Sequence, residues 1–208
     1  MSDTGTVYVV DDDEAVRDSI GMLLDSVDVE YQTFSGADEF LDSFESLQHG
    51  CLVLDIRMPG MSGLELQQRL LEMGARIPII FITGHGDIPM AVEAMRRGAV
   101  DFIRKPFRDQ ELLDRINEAL FVDAQKVEES QNIEKVRELV NSLTEREHQV
   151  FERVCEGQAN KVMAAEMDIS ERTVEIHRGQ VMHKTGVRSL AALVRLKLQL
   201  EQYDKENA

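Results

Sequence analysis

TVYVVDDD, residues 6–13, is a short apolar run that stops on three consecutive aspartates. A bounded run of this length reads as a strand buried on both faces. The arrangement recurs along the chain, with further strand candidates at Val29–Phe34, Cys51–Leu54, Ile79–Ile82 and Asp101–Arg104. Helical patterns lie between them, as in Val16, Ile20, Leu23 and Leu24. Ser62 and Glu65 spell a capping box ahead of Leu66, Leu70 and Leu71. Five strand–helix units predict a parallel sheet covered on both faces. Such sheets bind ligands at the carboxyl ends of their strands. The informative residues stand there: Asp11, Asp12 and Asp13 after the first strand, Asp55 at the end of the third, Thr83 at the end of the fourth, and Lys105, followed by Pro106, after the fifth.

Taken singly, these residues have plain explanations. Acids favour helix starts, and most lysines are surface charges. Asp11, Asp12, Asp55, Thr83 and Lys105, five polar residues at four strand ends, are harder to explain that way. Asp11, Asp12 and Asp55 would converge on one sheet edge and repel each other. A hard divalent cation relieves that repulsion, and magnesium, with manganese as an alternative, suits a site of few oxygen ligands that keeps its own waters. Asp55 can then act as a nucleophile toward a phosphoryl group. Lys105 can supply positive charge to the phosphoryl oxygens and Thr83 a hydroxyl donor.

Charge divides the chain. The formal total is −16; residues 1–120 hold 23 acidic and 10 basic side chains, whereas residues 142–198 hold 8 and 9. Only the later segment escapes the acidic bias, which suggests two domains with different partners. Residues 121–141 lack Gly and Pro and space Phe121, Val122, Val127, Ile133 and Val136 at loosely helical intervals. They read as a helical linker between a domain at 1–120 and another at 142–208. The second domain is wholly helical in pattern. Thr144 and Glu147 form another capping box, Ser170 can cap a helix starting at Glu171, and Leu190, Leu193, Val194 and Leu198 mark a last amphipathic helix. Cys51 and Cys155 are the only cysteines and sit in different domains, so buried free thiols are expected rather than a disulfide. The opening stretch lacks a signal-peptide pattern, and no apolar run is long enough to span a bilayer. A cytoplasmic protein without a membrane partner is the expectation.

VYVVDDDEAVR, LDIRMPGMSG, FITGHGD and DFIRKPF together resemble the motifs of response-regulator receiver domains, over about residues 5–122. The resemblance implies a flavodoxin-like α/β receiver with a five-stranded parallel sheet, and Asp55 as the acceptor of a phosphoryl group from a sensor histidine kinase. Asp12, Asp55 and the backbone carbonyl of Arg57 would ligate magnesium, with Asp11 acting through water. Thr83 and Lys105 would hold the phosphoryl oxygens, and the Lys105–Pro106 bond would be cis. Phe102 takes the place of the switching aromatic. The signalling face would include Val92, Met95, Arg96, Asp101 and Ile103, through which active members form a homodimer. Apart from the resemblance, Gly84 leaves room beside the acceptor, and Arg57 and His85 are read either as flanking the path of attacking water or as plain surface side chains.

Residues 142–200 resemble the LuxR-type helix-turn-helix, on SLTEREHQVFERVCEG, NKVMAAEMDIS and ERTVEIHRGQVMHKTGVRS. The resemblance implies an all-α domain that binds double-stranded DNA, with Asn160–Met167 as the first helix of the motif and Glu171–Lys184 as the recognition helix in the major groove. Lys161, Thr173, Arg178, Lys184 and Arg188 are the candidate phosphate contacts, which position without reading sequence. Glu175, Ile176 and Gly179 fall where base edges would be met. Asp168 stands at a turn position often filled by glycine, a backbone that aspartate tolerates. The two domains together resemble the FixJ-type subgroup, regulators of nitrogen fixation and aromatic-hydrocarbon catabolism, with RNA polymerase as a further partner.

Two other readings compete with a phosphorylation-activated transcription factor of a two-component system. A phosphatase of the haloacid dehalogenase class would also use Asp55 as nucleophile, but needs an acid two residues later, where Arg57 stands. No turnover enzyme is therefore expected. A receiver that serves as a phosphate sink, with a helical domain contacting protein, would show no sequence-selective DNA binding.

Overall fold

The computed structural model describes residues 5–44, 49–84 and 88–206. The chain divides into two compact units, Met1–Val127 and Glu128–Ala208.

In the first unit, strands β1 (Thr6–Val10), β2 (Tyr31–Phe34), β3 (Gly50–Asp55), β4 (Ile79–Thr83) and β5 (Asp101–Arg104) alternate with helices α1 (Glu14–Asp25), α2 (Ala37–Ser43), α3 (Gly63–Glu72) and α4 (Ile88–Arg96), and α5 (Asp109–Asn141) follows. All pairings are parallel, in the order β2-β1-β3-β4-β5. Strand side chains alternate between faces, so the sheet builds two cores. Val7, Val9, Cys51, Val53, Ile80, Ile82 and Ile103 pack with Ile20 and Leu24 of α1 and Leu112 and Ile116 of α5. Tyr8, Val10, Leu52, Leu54 and Phe81 pack with Phe40 of α2, Leu66 and Leu70 of α3, and Ala94 of α4. Each Val, Leu, Ile or Phe among them contributes about 1.5–3 kcal/mol when fully buried. β2 begins two residues later than the apolar pattern suggests. Asp28 adopts a left-handed turn (φ 54°) and the Val29 N–H closes back on the Leu24 carbonyl, so the chain becomes extended only beyond that turn.

The second unit holds the end of α5 and helices α6 (Glu145–Cys155), α7 (Asn160–Met167), α8 (Glu171–Lys184) and α9 (Leu190–Glu206). Val150, Phe151, Val154, Met163, Met167, Val174, Val181, Leu193 and Leu196 form its core with Val140 and Leu143. The capping boxes at Ser62/Glu65 and Thr144/Glu147 both close, and Ser170 accepts from the Thr173 N–H. Asp168 takes the left-handed conformation (φ 56°, ψ 47°) between α7 and α8. Among the described residues, no helix is long and apolar enough to cross a membrane. Cys51 is buried but Cys155 only half-buried, and burial pushes their thiols up to about 12 and about 11 respectively.

Candidate functional site

β1, β3, β4 and β5 lie side by side, so their carboxyl ends form one edge. Asp11 follows β1 and is buried, Asp55 closes β3 and Thr83 closes β4, both buried. Lys105 follows β5, where its N–H donates to the Thr83 carbonyl at 2.7 Å. One carboxylate oxygen from each of Asp11, Asp12 and Asp55 lies within 4.8 Å of the others. Asp12 is exposed, so the cluster opens to solvent on one side.

Lys105 Nζ donates to Asp11 Oδ2 at 2.5 Å and to Asp55 Oδ2 at 3.1 Å, bridging the two buried acids. Burial pushes the Asp11 carboxyl above its ordinary range, against the pull of the Lys105 hydrogen bond. Burial works to lower the Lys105 ammonium, but its hydrogen bond to Asp11 and the charges of both acids outweigh that and raise it. Three carboxylates against one ammonium leave negative charge in excess. An all-oxygen donor set with one solvent-facing member fits a hard divalent cation that keeps waters of its own.

The loop bearing the acids is held by its own side chains. The Asp13 N–H donates to Asp11 Oδ1 at 3.0 Å, and Asp13 caps α1 through the Ala15 N–H. Arg17 Nη1 donates to the Asp11 carbonyl at 2.7 Å. Arg17 escaped the sequence reading, because nothing in its spacing says which carbonyl it reaches. The Arg57 N–H leans on Asp55 Oδ1 at 3.3 Å, which starts the turn after β3. Lys105–Pro106 is cis. Phe102 is half-buried against the α2–α4 core, beside Phe81 on the neighbouring strand. His85 lies outside the described residues.

On the expected signalling face, Val92 and Met95 are 46% and 44% exposed, and Arg96 is exposed. One expectation changes. Ile103 is buried at 2%, because strand alternation turns it toward α1 and α5 and away from α4. Asp101 is engaged within its own chain, accepting Arg115 Nε of α5 at 2.7 Å.

In the second unit, α8 turns Val174 and Val181 inward. Glu175, Ile176 and Gly179 are exposed, as are Lys161 on α7 and Arg188 beyond α8. Thr173 is half-buried and its hydroxyl meets that of Ser170 at 2.8 Å. Two of the expected phosphate contacts have internal partners. Arg178 Nη1 donates to Asn160 Oδ1 at 2.6 Å, and Lys184 Nζ donates to Glu147 Oε2 at 2.7 Å. Both lie on the side of α8 that carries Val174 and Val181, so α7 and α6 reach them first. Arg172, Gln180 and His183 are exposed on the opposite side and were missed; counting by helical period outward from Val174 and Val181 would have found them.

Two family descriptions match the chain: "Response regulator receiver domain" over residues 7–117 and "Bacterial regulatory proteins, luxR family" over residues 141–197. Similar curated proteins include the response regulator protein TmoT of Ectopseudomonas mendocina, 47% identical over 91% of this chain and 86% of its own length. The transcriptional regulatory protein FixJ of Bradyrhizobium diazoefficiens is 44% identical over 94% of this chain and 96% of its own. A solved structure of the response regulator StyR superimposes with a TM-score of 0.81 at 48% identity, covering 93% of this chain and 98% of that one.

Proposed function

The chain belongs to the response regulators that join a receiver domain to a LuxR-type DNA-binding domain, phosphorylation-dependent regulators of transcription, and on that premise we propose that Asp55 is its phosphoacceptor and that α8 is its recognition helix. The convergence of Asp11, Asp12, Asp55 and Lys105 on one sheet edge carries the first assignment. A carboxylate oxygen of Asp55 attacks the phosphorus of a phosphohistidine on a sensor kinase. The new O–P bond forms as the P–N bond breaks, and the imidazole leaves. Asp12, Asp55 and the Arg57 carbonyl, with Asp11 behind them, would hold a magnesium or manganese ion, which would supply charge neutralisation at the transferring oxygens. Lys105, released from its bridge, follows one phosphoryl oxygen, and the Thr83 hydroxyl donates to another. Phe102 carries the change toward Val92, Met95, Arg96 and Asp101, the face through which the phosphorylated protein dimerises.

Residues 1–120 act as the receiver, 121–141 as a helical linker and 142–208 as the DNA-binding domain. Lys161, Thr173 and Arg188 contact phosphates, while Glu175, Ile176 and Gly179 face base edges. Lys184 and Arg178 reach phosphates only from the rim of α8, since Glu147 and Asn160 already hold them. Residues 142–198 hold 9 basic against 8 acidic side chains, so the domain has almost no net positive charge, and two half-sites read by a dimer supply the affinity that one domain lacks. RNA polymerase is a further partner, and the protein acts in the cytoplasm without turning over a substrate of its own.

Phosphorylation by acetyl phosphate, followed on phosphate-affinity gels, tests the acceptor. Wild type shifts only with magnesium, and Asp55→Asn does not shift. Static light scattering of the phosphorylated protein shows a doubled mass and filter binding shows tighter, salt-sensitive DNA association. A phosphoryl group on Asp55→Asn, or a phosphorylated monomer on DNA, sinks the reading.

A further inference from the structure

One stripe of α8 is left uncovered by its own unit. Val174 and Val181 are buried, and Arg178 and Lys184 are held by Asn160 and Glu147, which together mark the inward side. Arg172, Glu175, Ile176, Gly179, Gln180 and His183 are exposed, and their spacing by three and four residues gathers them on the opposite side. The stripe has a gap at its middle. A Cβ added at Gly179 would meet nothing within 4 Å, so the missing side chain is not forced by packing inside the unit. Glycine inside a helix costs stability relative to alanine, and a surface that must come close to the α8 backbone accounts for it.

Gln180 stands beside that gap, one turn beyond Ile176. Its amide presents a donor and an acceptor in one plane. That pair matches the N7 acceptor and N6 donor that adenine shows in the major groove. Its exposed neighbours lack the match, since Glu175 only accepts and Arg172 only donates. Nor is the amide occupied at home: no residue among those described holds it. Resting on the DNA-binding reading above, we propose that Gln180 is a specificity-determining residue that reads an adenine where the Gly179 gap lets α8 settle deepest in the groove.

Binding-site selection from random duplex DNA, with the full-length phosphorylated protein, tests this. Wild type selects an adenine at one position of each half-site that Gln180→Ala no longer requires, with discrimination at that position falling about 5- to 150-fold. Gln180→Glu shifts the preference there to cytosine, whose amino group donates to a carboxylate. Circular dichroism and melting of both variants match wild type, because the side chain is exposed. If Gln180→Ala selects the wild-type sequence, or weakens all sequences equally, Gln180 is a surface residue and the proposal is wrong. A wild-type protein that selects no sequence at all overturns the DNA-binding reading itself, an outcome distinguishable from the first two.

Discussion

Lys184, in the last turn of α8, donates to Glu147 Oε2 at 2.7 Å, and Glu147 is the same residue that closes the capping box at the start of α6. One carboxylate thus fixes the start of one helix to the end of another. The Lys184 hydrogen bond first, and then the Thr144 N–H, hold the Glu147 carboxyl down at about 2. A depressed carboxylate contributes stability that is fully present above its unfolded value of 4.5 and is lost as pH falls toward 2. The melting-temperature difference between wild type and Glu147→Gln should therefore be full at neutral pH and vanish through that window. Calorimetric scans across pH measure it; a difference that persists unchanged at pH 2 excludes the pair as its cause.

In the receiver site, Lys105 stands between Asp11 and Asp55. Magnesium should stabilise wild type by mass action, by about 2.7 kcal/mol at a concentration one hundredfold above its Kd. Asp55→Asn removes one of the crowded charges and should raise the metal-free melting temperature. Lys105→Ala should lower it and enlarge the magnesium response. The raised ammonium of Lys105 contributes stability that is present below its ordinary value of 10.5 and lost as pH climbs through the raised one. Thermal melts with and without magnesium read wild type and both variants, and a wild type indifferent to magnesium contradicts the site.

Arg17 takes the Asp11 carbonyl at 2.7 Å and so fixes the backbone from which the Asp11 carboxylate is aimed. Arg17→Ala should cost about 1 kcal/mol of stability for the lost hydrogen bond. It should also weaken magnesium binding in the folded protein. Arg17→Lys should restore charge but little of the binding, because a point charge lacks the reach and planarity of a guanidinium. Isothermal titration with magnesium separates the two effects: an unchanged affinity in Arg17→Ala would leave Arg17 a purely structural residue.

Gly179→Ala adds a Cβ in open space on a helix. The unbound protein should gain about 0.5–1 kcal/mol, while affinity for the selected operator falls as the methyl group holds the helix off the groove. Opposite signs in the melt and in operator binding are the expected result. A variant that is more stable and binds equally well shows that the backbone does not approach DNA there.

Much of the fold was legible because its signals are local. Buried parallel strands read as short apolar runs, and capping boxes at Ser62/Glu65 and Thr144/Glu147 need only residues three apart. The strand-end polar residues could be named because a parallel sheet sends every strand's carboxyl end to one edge. The sequence was weaker on partners. Through the helix-turn-helix resemblance it offered Arg178 and Lys184 as phosphate contacts, and through the receiver resemblance it put Ile103 on the same face as Val92.

The amino-acid sequence by itself determined the five strand–helix units, the helical second domain and the chemistry of the acidic edge, since each depends on spacing within a few residues or on residue type. Tertiary structure alone decided where the long basic side chains end. Arg17 turns to the Asp11 carbonyl, Arg115 to Asp101, Arg178 to Asn160 and Lys184 to Glu147. An arginine or lysine has several rotatable bonds and a charge that suits many acceptors. Its partner is set by which carbonyl or carboxylate packing brings within about 3 Å, and in two of these pairs that partner is 18 or more residues away along the chain.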